Sequence, residues 1–280
     1  MTKAVFLLLI VGVLSPSTWA LEITQGKWQQ GAVIRGKVEP GSELYHGERR
    51  LRLSGRGEFV LGLDRDAPER ISLKVIDPEG EAQEHRFEVA KRDYQIQRIE
   101  GVPQSTVTPN AEQIARARKE GALARQARDK DLARTDFTAE FQWPLEGIIT
   151  GVYGSQRFYN GEPRRPHYGV DIASPQGTEV VAPAPGLVTL VHEDMFFSGG
   201  TLIIDHGHGL SSTFIHLHQI LVEEGDEVAQ GQPIAQVGAT GRATGPHLDW
   251  RMNWFERRVD PTSLVGPMPE NPRPQDVSSK

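Results

Sequence analysis

From Leu21 to about Pro103, apolar and polar residues alternate in short runs: "AVIRGKV", "RRLRLSG", "GEFVLGL", "RISLKVI" and "HRFEVA". A period of two puts every second side chain on one face, so each run reads as a half-buried strand. The intervening "EPGS" and "DPEG" supply Pro and Gly where tight reversals need them. Five or more strands at this spacing predict a small β sandwich or barrel over residues 21–103.

Residues 104–136 change period. "PNAEQIARARKEGALARQARDKDLAR" is rich in Ala, Arg, Glu and Lys, with Thr108 offering an N-cap and Pro109 a first-turn proline. Ile114, Ala117, Ala124 and Ala127 form a thin apolar stripe interrupted by Gly121. The stripe lacks Leu and sustained heptads, so it predicts a linker helix resting on a neighbour rather than a coiled-coil partner. From Phe137 to 267 strand patterns return with longer apolar runs and many glycines, as in "TEVVAPAPGLVTLVH" and "GGTLIIDHG". The chain is therefore mostly β, with two strand-rich domains joined by one helix.

The two ends differ from both. Residues 1–20 carry Lys3, an apolar stretch from Ala4 to Leu14, then "SPS" and the small residue Ala20. This pattern predicts a signal peptide, because the apolar stretch is short of the roughly 20 residues that span a bilayer. The protein is expected to be exported, without a membrane span after signal removal. The tail 268–280, "MPENPRPQDVSSK", is Pro-rich and polar and is expected to be disordered.

Composition narrows the chemistry. The chain has no cysteine, which excludes disulfides, thiolate metal sites and a cysteine nucleophile. It carries 31 basic and 37 acidic residues, with no long basic block, so a nucleic-acid partner is not expected. Seven of the nine histidines (167, 192, 206, 208, 216, 218 and 247) fall in the second strand-rich region. His46 and His85 stand alone and read as surface residues.

Three segments bring carboxylates or imidazoles together. In "PHYGVDIAS", read as a strand, His167 and Asp171 share a face; in "SSTFIHLHQI" so do His216 and His218; in "GPHLDWRMNW" so do His247 and Asp249, with Leu248, Trp250 and Met252 on the reverse. A zinc site that does chemistry needs three protein ligands, an open position for water and a nearby proton carrier. These side chains suffice for both tasks. His206 and His208, in the glycine-rich "DHGHGL", read as structural, and His192 has no evident partner.

The segments "HYGVDIASPQGTEVVAPAPGLV", "TLIIDHGHGLSSTFIHL", "LVEEGDEVAQGQPIAQVGATGRATGPHLDW" and "RVDP" resemble, in this order, the catalytic domain of lysostaphin-type (LytM-like) zinc endopeptidases of bacterial peptidoglycan. "GSQRFYNGEPRRPHYG" is similar to Gram-negative periplasmic members with an extra N-terminal β domain. The resemblance implies a C-terminal antiparallel β-sheet metallopeptidase domain, a zinc cofactor, peptidoglycan peptides as partners and a periplasmic location. It further implies His167 and Asp171 as zinc ligands, His216 as the substrate-polarising residue and His247 as the base. The family's third ligand is a histidine, where this chain has Asp249. His218 falls at a variable position and reads as a groove-rim residue, the alternative being a competing register in which it supplies the missing imidazole. His, Asp and Asp would neutralise a divalent ion, so a weaker polarisation of water and carbonyl, or tolerance of harder ions, is expected. A degenerate domain that binds wall peptides or activates an amidase is the alternative.

Overall fold

A computed structural model describes residues 21–99 and 110–269; the expected signal peptide and all but the first two residues of the expected tail lie outside these. Met268, at the start of that tail, packs against the core.

The N-terminal strands are β1 (Glu22–Gln25), β2 (Val33–Lys37), β3 (Glu43–His46), β4 (Arg49–Leu51), β5 (Glu58–Gly62), β6 (Arg70–Ile76) and β7 (Ala82–Glu88). They form two antiparallel sheets, β1-β2-β5 and β4-β3-β6-β7. The alternation is visible in β6, where Ile71, Leu73 and Val75 are buried and their neighbours are not. Ile34, Phe59 and Leu61 from one sheet meet Leu44 and Leu73 from the other in one core.

After β8 (Ile96–Ile99) comes α1 (Ala111–Arg128), the single long helix among the described residues. It starts later than Thr108 and Pro109 suggested. Asn110 is the N-cap, and its side chain and that of Gln113 form a reciprocal capping box. Two bonds to otherwise orphaned N–H groups outweigh the single cap that threonine offers. The stripe buries little: Ala127 and part of Ala124 pack on Leu190, Met195 and Ile203, while Ile114 stays exposed.

The remaining strands are β9 (Ile148–Gly151), β10 (Gln156–Tyr159), β11 (Glu162–Pro163), β12 (Gly169–Ala173), β13 (Glu179–Val181), β14 (Gly186–Met195), β15 (Gly199–Asp205), β16 (Leu210–Leu217), β17 (Gln219–Ile220), β18 (Glu227–Val228), β19 (Pro233–Gln236), β20 (His247–Trp254) and β21 (Arg257–Val259). Eight build the dominant sheet, ordered β18-β14-β15-β16-β20-β12-β9 with β21 added on β20. β13-β19-β17 forms a small separate sheet.

One face of the large sheet, with Val170, Ile172, Phe214, Leu248, Trp250 and Met252, is the main core. That core runs without a break into the N-terminal sheets. A Cβ on Gly62 would fall 2.4 Å from Trp254, which shows how closely β5 and β20 approach. Tyr153 donates to the Arg258 carbonyl at 2.7 Å, Asp260 N to Gly31 O, and Arg92 pairs with the buried Asp260. β8 also pairs in parallel with β10. His46, expected at the surface, is half-buried at this contact, with Nδ1 against Ser72 O and Nε2 3.2 Å from Arg257.

Candidate metal centre

β12 and β20 run antiparallel with Asp171 directly opposite Asp249, flanked by Val170↔Trp250 and Ile172↔Leu248 on the reverse face. Directly opposed carboxylates on one sheet face repel. The pair therefore needs a cation, and the structure supplies two from the chain itself. His167 Nε2 lies 3.0 Å from Asp171 Oδ1 and 3.4 Å from Asp249 Oδ2. From the other side Arg251 Nε reaches both Asp249 oxygens at 2.9 and 3.1 Å, and its Nη2 reaches Oδ2 at 2.5 Å.

The alternation read from "HLDWRMNW" holds, since Leu248, Trp250 and Met252 are fully buried beneath. His167 differs from the expectation. It precedes β12, in a turn that closes through His167 N to Ser155 O and Gly154 N to His167 O. Its reach to Asp171 comes from this turn, not from a shared strand face.

Burial disfavours a charged His167 ring, but the neighbouring Asp171 and Asp249 outweigh it and lift the pKa to about 10. Burial would raise the Asp249 pKa, yet the Arg251 and His167 charges hold it well below the usual carboxylate range. A proton on His167 thus sits between the carboxylates where a metal would sit.

The donor set suits a divalent ion. One ligand atom from each of His167, Asp171 and Asp249 can be chosen so that all lie within 4.8 Å of one another. Asp171 Oδ1 is buried without an aligned hydrogen-bond partner. A Cβ on Gly151 would fall 2.3 Å from Asp171 Oδ2, and one on Gly169 2.2 Å from Asp249 Oδ1, so glycine at both positions leaves the carboxylates room. His167 Nδ1 faces Val152 O at 3.3 Å. A carbonyl only accepts, so Nδ1 carries the hydrogen and the neutral ring presents its Nε2 lone pair to the site.

His247 Nε2 is 3.8 Å from Asp171 Oδ1, and the His216 and His247 rings lie 4.8 Å apart. His216 stands at the end of β16 with a left-handed φ of 66°, where the pairing with β15 slips between Gly200 and Leu202. This strained backbone turns its ring to the side occupied by Asp249. Thr240, unremarked in the sequence, anchors it: the carbonyl accepts from His216 Nδ1 at 2.8 Å, and the hydroxyl bonds Gly200 N and Leu217 O. His247 Nδ1 likewise donates to Gly245 O at 2.8 Å. Both rings, when neutral, therefore offer a lone pair at Nε2. Burial lowers the His216 pKa, which favours that neutral form.

His218 lies beyond β16, exposed, with Nδ1 3.2 Å from Gln176 Nε2. It stays outside the cluster. His206 is structural, as expected: Nδ1 donates to Pro185 O and Nε2 accepts from Ser212. His208 is buried against Phe137. His192 does have a partner, the Asp194 N–H at 3.1 Å.

Residues 165–261, which hold this cluster, match the model of peptidase family M23. This part of the chain belongs to peptidase family M23. It is 41% identical over 95 residues to the peptidoglycan DD-endopeptidase ShyB of Vibrio cholerae, covering 34% of this chain and 22% of that protein. It is 39% identical over 106 residues to the DD-carboxypeptidase/endopeptidase Mpg of Neisseria meningitidis, covering 38% of this chain and 24% of that protein. The chain thus spans about a quarter of the length of these relatives. A crystal structure from Pseudomonas aeruginosa, described as an M23 peptidase, superposes with a TM-score of 0.68 at 29% identity, covering 86% of this chain and 96% of that one. That likeness extends well beyond the M23 segment.

Arg251 corrects the expected charge. His167, Asp171 and Asp249 alone would leave a divalent ion with no net charge, but the guanidinium bound to Asp249 restores one positive charge. This equals the balance of a His, His, Asp set, so the reason to expect weak polarisation disappears.

Proposed function

We propose that the protein is a zinc-dependent endopeptidase of the periplasm that hydrolyses peptide bonds in peptidoglycan stem or cross-link peptides. The observation that carries this reading is the convergence of His167, Asp171 and Asp249 with the His216 and His247 rings beside them. A relative named as a peptidoglycan DD-endopeptidase supports the substrate class.

His167, Asp171 and Asp249 would hold the metal. Zinc in such a site supplies Lewis acidity and a water ionisable near neutral pH. His247, with Nδ1–H fixed on Gly245, takes a proton at Nε2 from the attacking water and returns it to the amine as the C–N bond breaks. His216 can donate to the carbonyl oxygen from Nε2 only as an imidazolium, because Thr240 O already takes its Nδ1 hydrogen. The pair must therefore enter the reaction with a single Nε2 proton, on His216, beside the two Nδ1 hydrogens.

The test is digestion of purified sacculi by the full chain beside its His247→Ala variant, with zinc content measured in both. New muropeptide ends from the first and none from the second are expected. The competing reading, a domain that binds wall peptides or activates an amidase without cutting, draws on the engagement of both Asp249 oxygens by Arg251. Identical muropeptide profiles from the two proteins would favour it.

A further inference from the structure

The face of the large sheet that carries Asp171 and Asp249 continues past them. Arg251 follows Asp249 along β20, opposite Thr213 on β16, and Ile203 on β15 lies opposite Thr213. Helix α1 covers the far end of this face through Ala124 and Ala127. Between helix and sheet lies a chamber of about 580 Å³.

Its charged lining is one-sided. Arg125, Arg128, Arg165, Arg251 and Arg258 meet there, against only Glu120 and Glu256. Glu120 is already engaged by Arg116 and by the Phe196 N–H, and Glu256 lies 3.9 Å from Arg125. The Arg258 guanidinium donates to Asn253, and those of Arg128 and Arg165 have no hydrogen-bond or ion-pair partner among the described residues. Burial, then the charges of Arg251 and Arg125, lower the Arg128 pKa to about 10, so these cations act on one another.

A second group points the same way. Thr213 lines the chamber, is 4% exposed, and its hydroxyl has no hydrogen-bond partner. Crowded cations and an orphaned hydroxyl both cost stability unless something fills the space between them. Guanidinium groups bind carboxylates bidentately, and a hydroxyl adds one more donor.

We propose that this chamber is a carboxylate-binding subsite for the peptide cut at His167, Asp171 and Asp249, an inference that rests on the endopeptidase reading above. Arg251 is shared between the two sites, since it bonds Asp249 and also lines the chamber. Two residues of strand span about 7 Å. The recognised carboxylate therefore belongs about two residues from the scissile bond, and a bond flanked by uncharged residues is a poor substrate.

The experiment measures co-sedimentation of the full chain carrying His247→Ala, which keeps sacculi uncut, with native sacculi and with sacculi whose carboxylates are amidated by carbodiimide. Arg128→Gln and Thr213→Val are added to the same background. Amidation or Arg128→Gln should each weaken binding about tenfold, the scale of one lost charge-assisted bond. Thr213→Val should weaken it less while leaving the melting temperature unchanged or higher, which a merely structural threonine would not do. Undiminished binding to amidated sacculi overturns the subsite. So does a loss on amidation that Arg128→Gln fails to reproduce, because the carboxylates are then read elsewhere. Arg128-dependent binding, together with a failure of the chain that retains His247 to cut sacculi, removes the endopeptidase reading and leaves the subsite standing.

Discussion

Arg251 holds both carboxylate oxygens of Asp249 from two residues further along the same strand face, at 2.9 and 3.1 Å from Nε and 2.5 Å from Nη2. A buried carboxylate is thereby neutralised by the chain itself. If Asp249 holds a metal as proposed, the pair would do what a histidine there would do electrostatically, with the charge moved outward from the ion.

Removing the arginine should separate stability from metal affinity. Arg251→Gln leaves Asp249, 2% exposed, with one fewer counter-charge, and a buried pair broken from one side costs about 3 kcal/mol. Zinc should then bind more tightly, because the ion replaces the lost cation. Thermal melts with and without zinc, together with calorimetric zinc titration, check both halves. Equal zinc affinity in the two proteins would mean that Arg251 does not compete for Asp249.

The converse exchange should be coupled. Asp249→His alone strands Arg251 beside a cationic site and should weaken zinc binding. Adding Arg251→Gln should recover much of that loss. In a double-mutant cycle on zinc affinity, contacting residues that share a network deviate from additivity by about 1 kcal/mol or more. Strict additivity would remove the argument that the two positions act as a unit.

The two histidines should give a bell-shaped dependence of kcat/KM on pH. One ring must be neutral to take a proton and the other charged to donate from Nε2, since both Nδ1 hydrogens are held by carbonyls. His216→Ala and His247→Ala should each lose about a hundredfold or more in rate. A plateau at high pH would show that no imidazolium is needed.

Stability should fall on both sides of neutrality in the metal-free protein. Burial pushes His206 and His208 down to about 4 and Asp205 up to about 7. Between about pH 4 and the unfolded histidine value near 6.5, the unfolded chain binds two protons at the histidines and the native chain one at Asp205. The difference, 2 − 1 = 1, makes stability fall on acidification by about 1.4 kcal/mol per pH unit. On the alkaline side His167, with a pKa of about 10, keeps a proton that the unfolded chain has lost. Its contribution is full below about 6.5 and disappears as pH rises through 10. Melting temperatures across pH, with chelator and with zinc, check this, because bound zinc replaces the His167 proton and should abolish the alkaline limb.

Lifting the helix should impair wall binding. Ala127, 4% exposed, packs on Leu190, Met195 and Ile203. Ala127→Asp puts a charge into that contact and should displace Arg125 and Arg128 from the chamber. Weaker co-sedimentation with sacculi is expected. Faster digestion instead would identify α1 as a cover over the groove.

The sequence alone determined the strand character of both regions and the helix between them, and it singled out five polar residues that the structure brings together. Local periodicity and motif spacing are properties of neighbouring residues, and "HLDWRMNW" displays its two faces without any partner strand. It also held an unused signal, since Arg251 continues the alternation of His247 and Asp249. Tertiary structure alone decided what that arginine does, because its role depends on Asp171 lying directly across from Asp249 on a strand about 80 residues earlier in the chain. The same holds for the left-handed turn at His216, for Thr240 beneath it and for the arginines that α1 and β21 bring to one chamber. Pairing register and packing join residues far apart in sequence, and no local pattern specifies the distance between them.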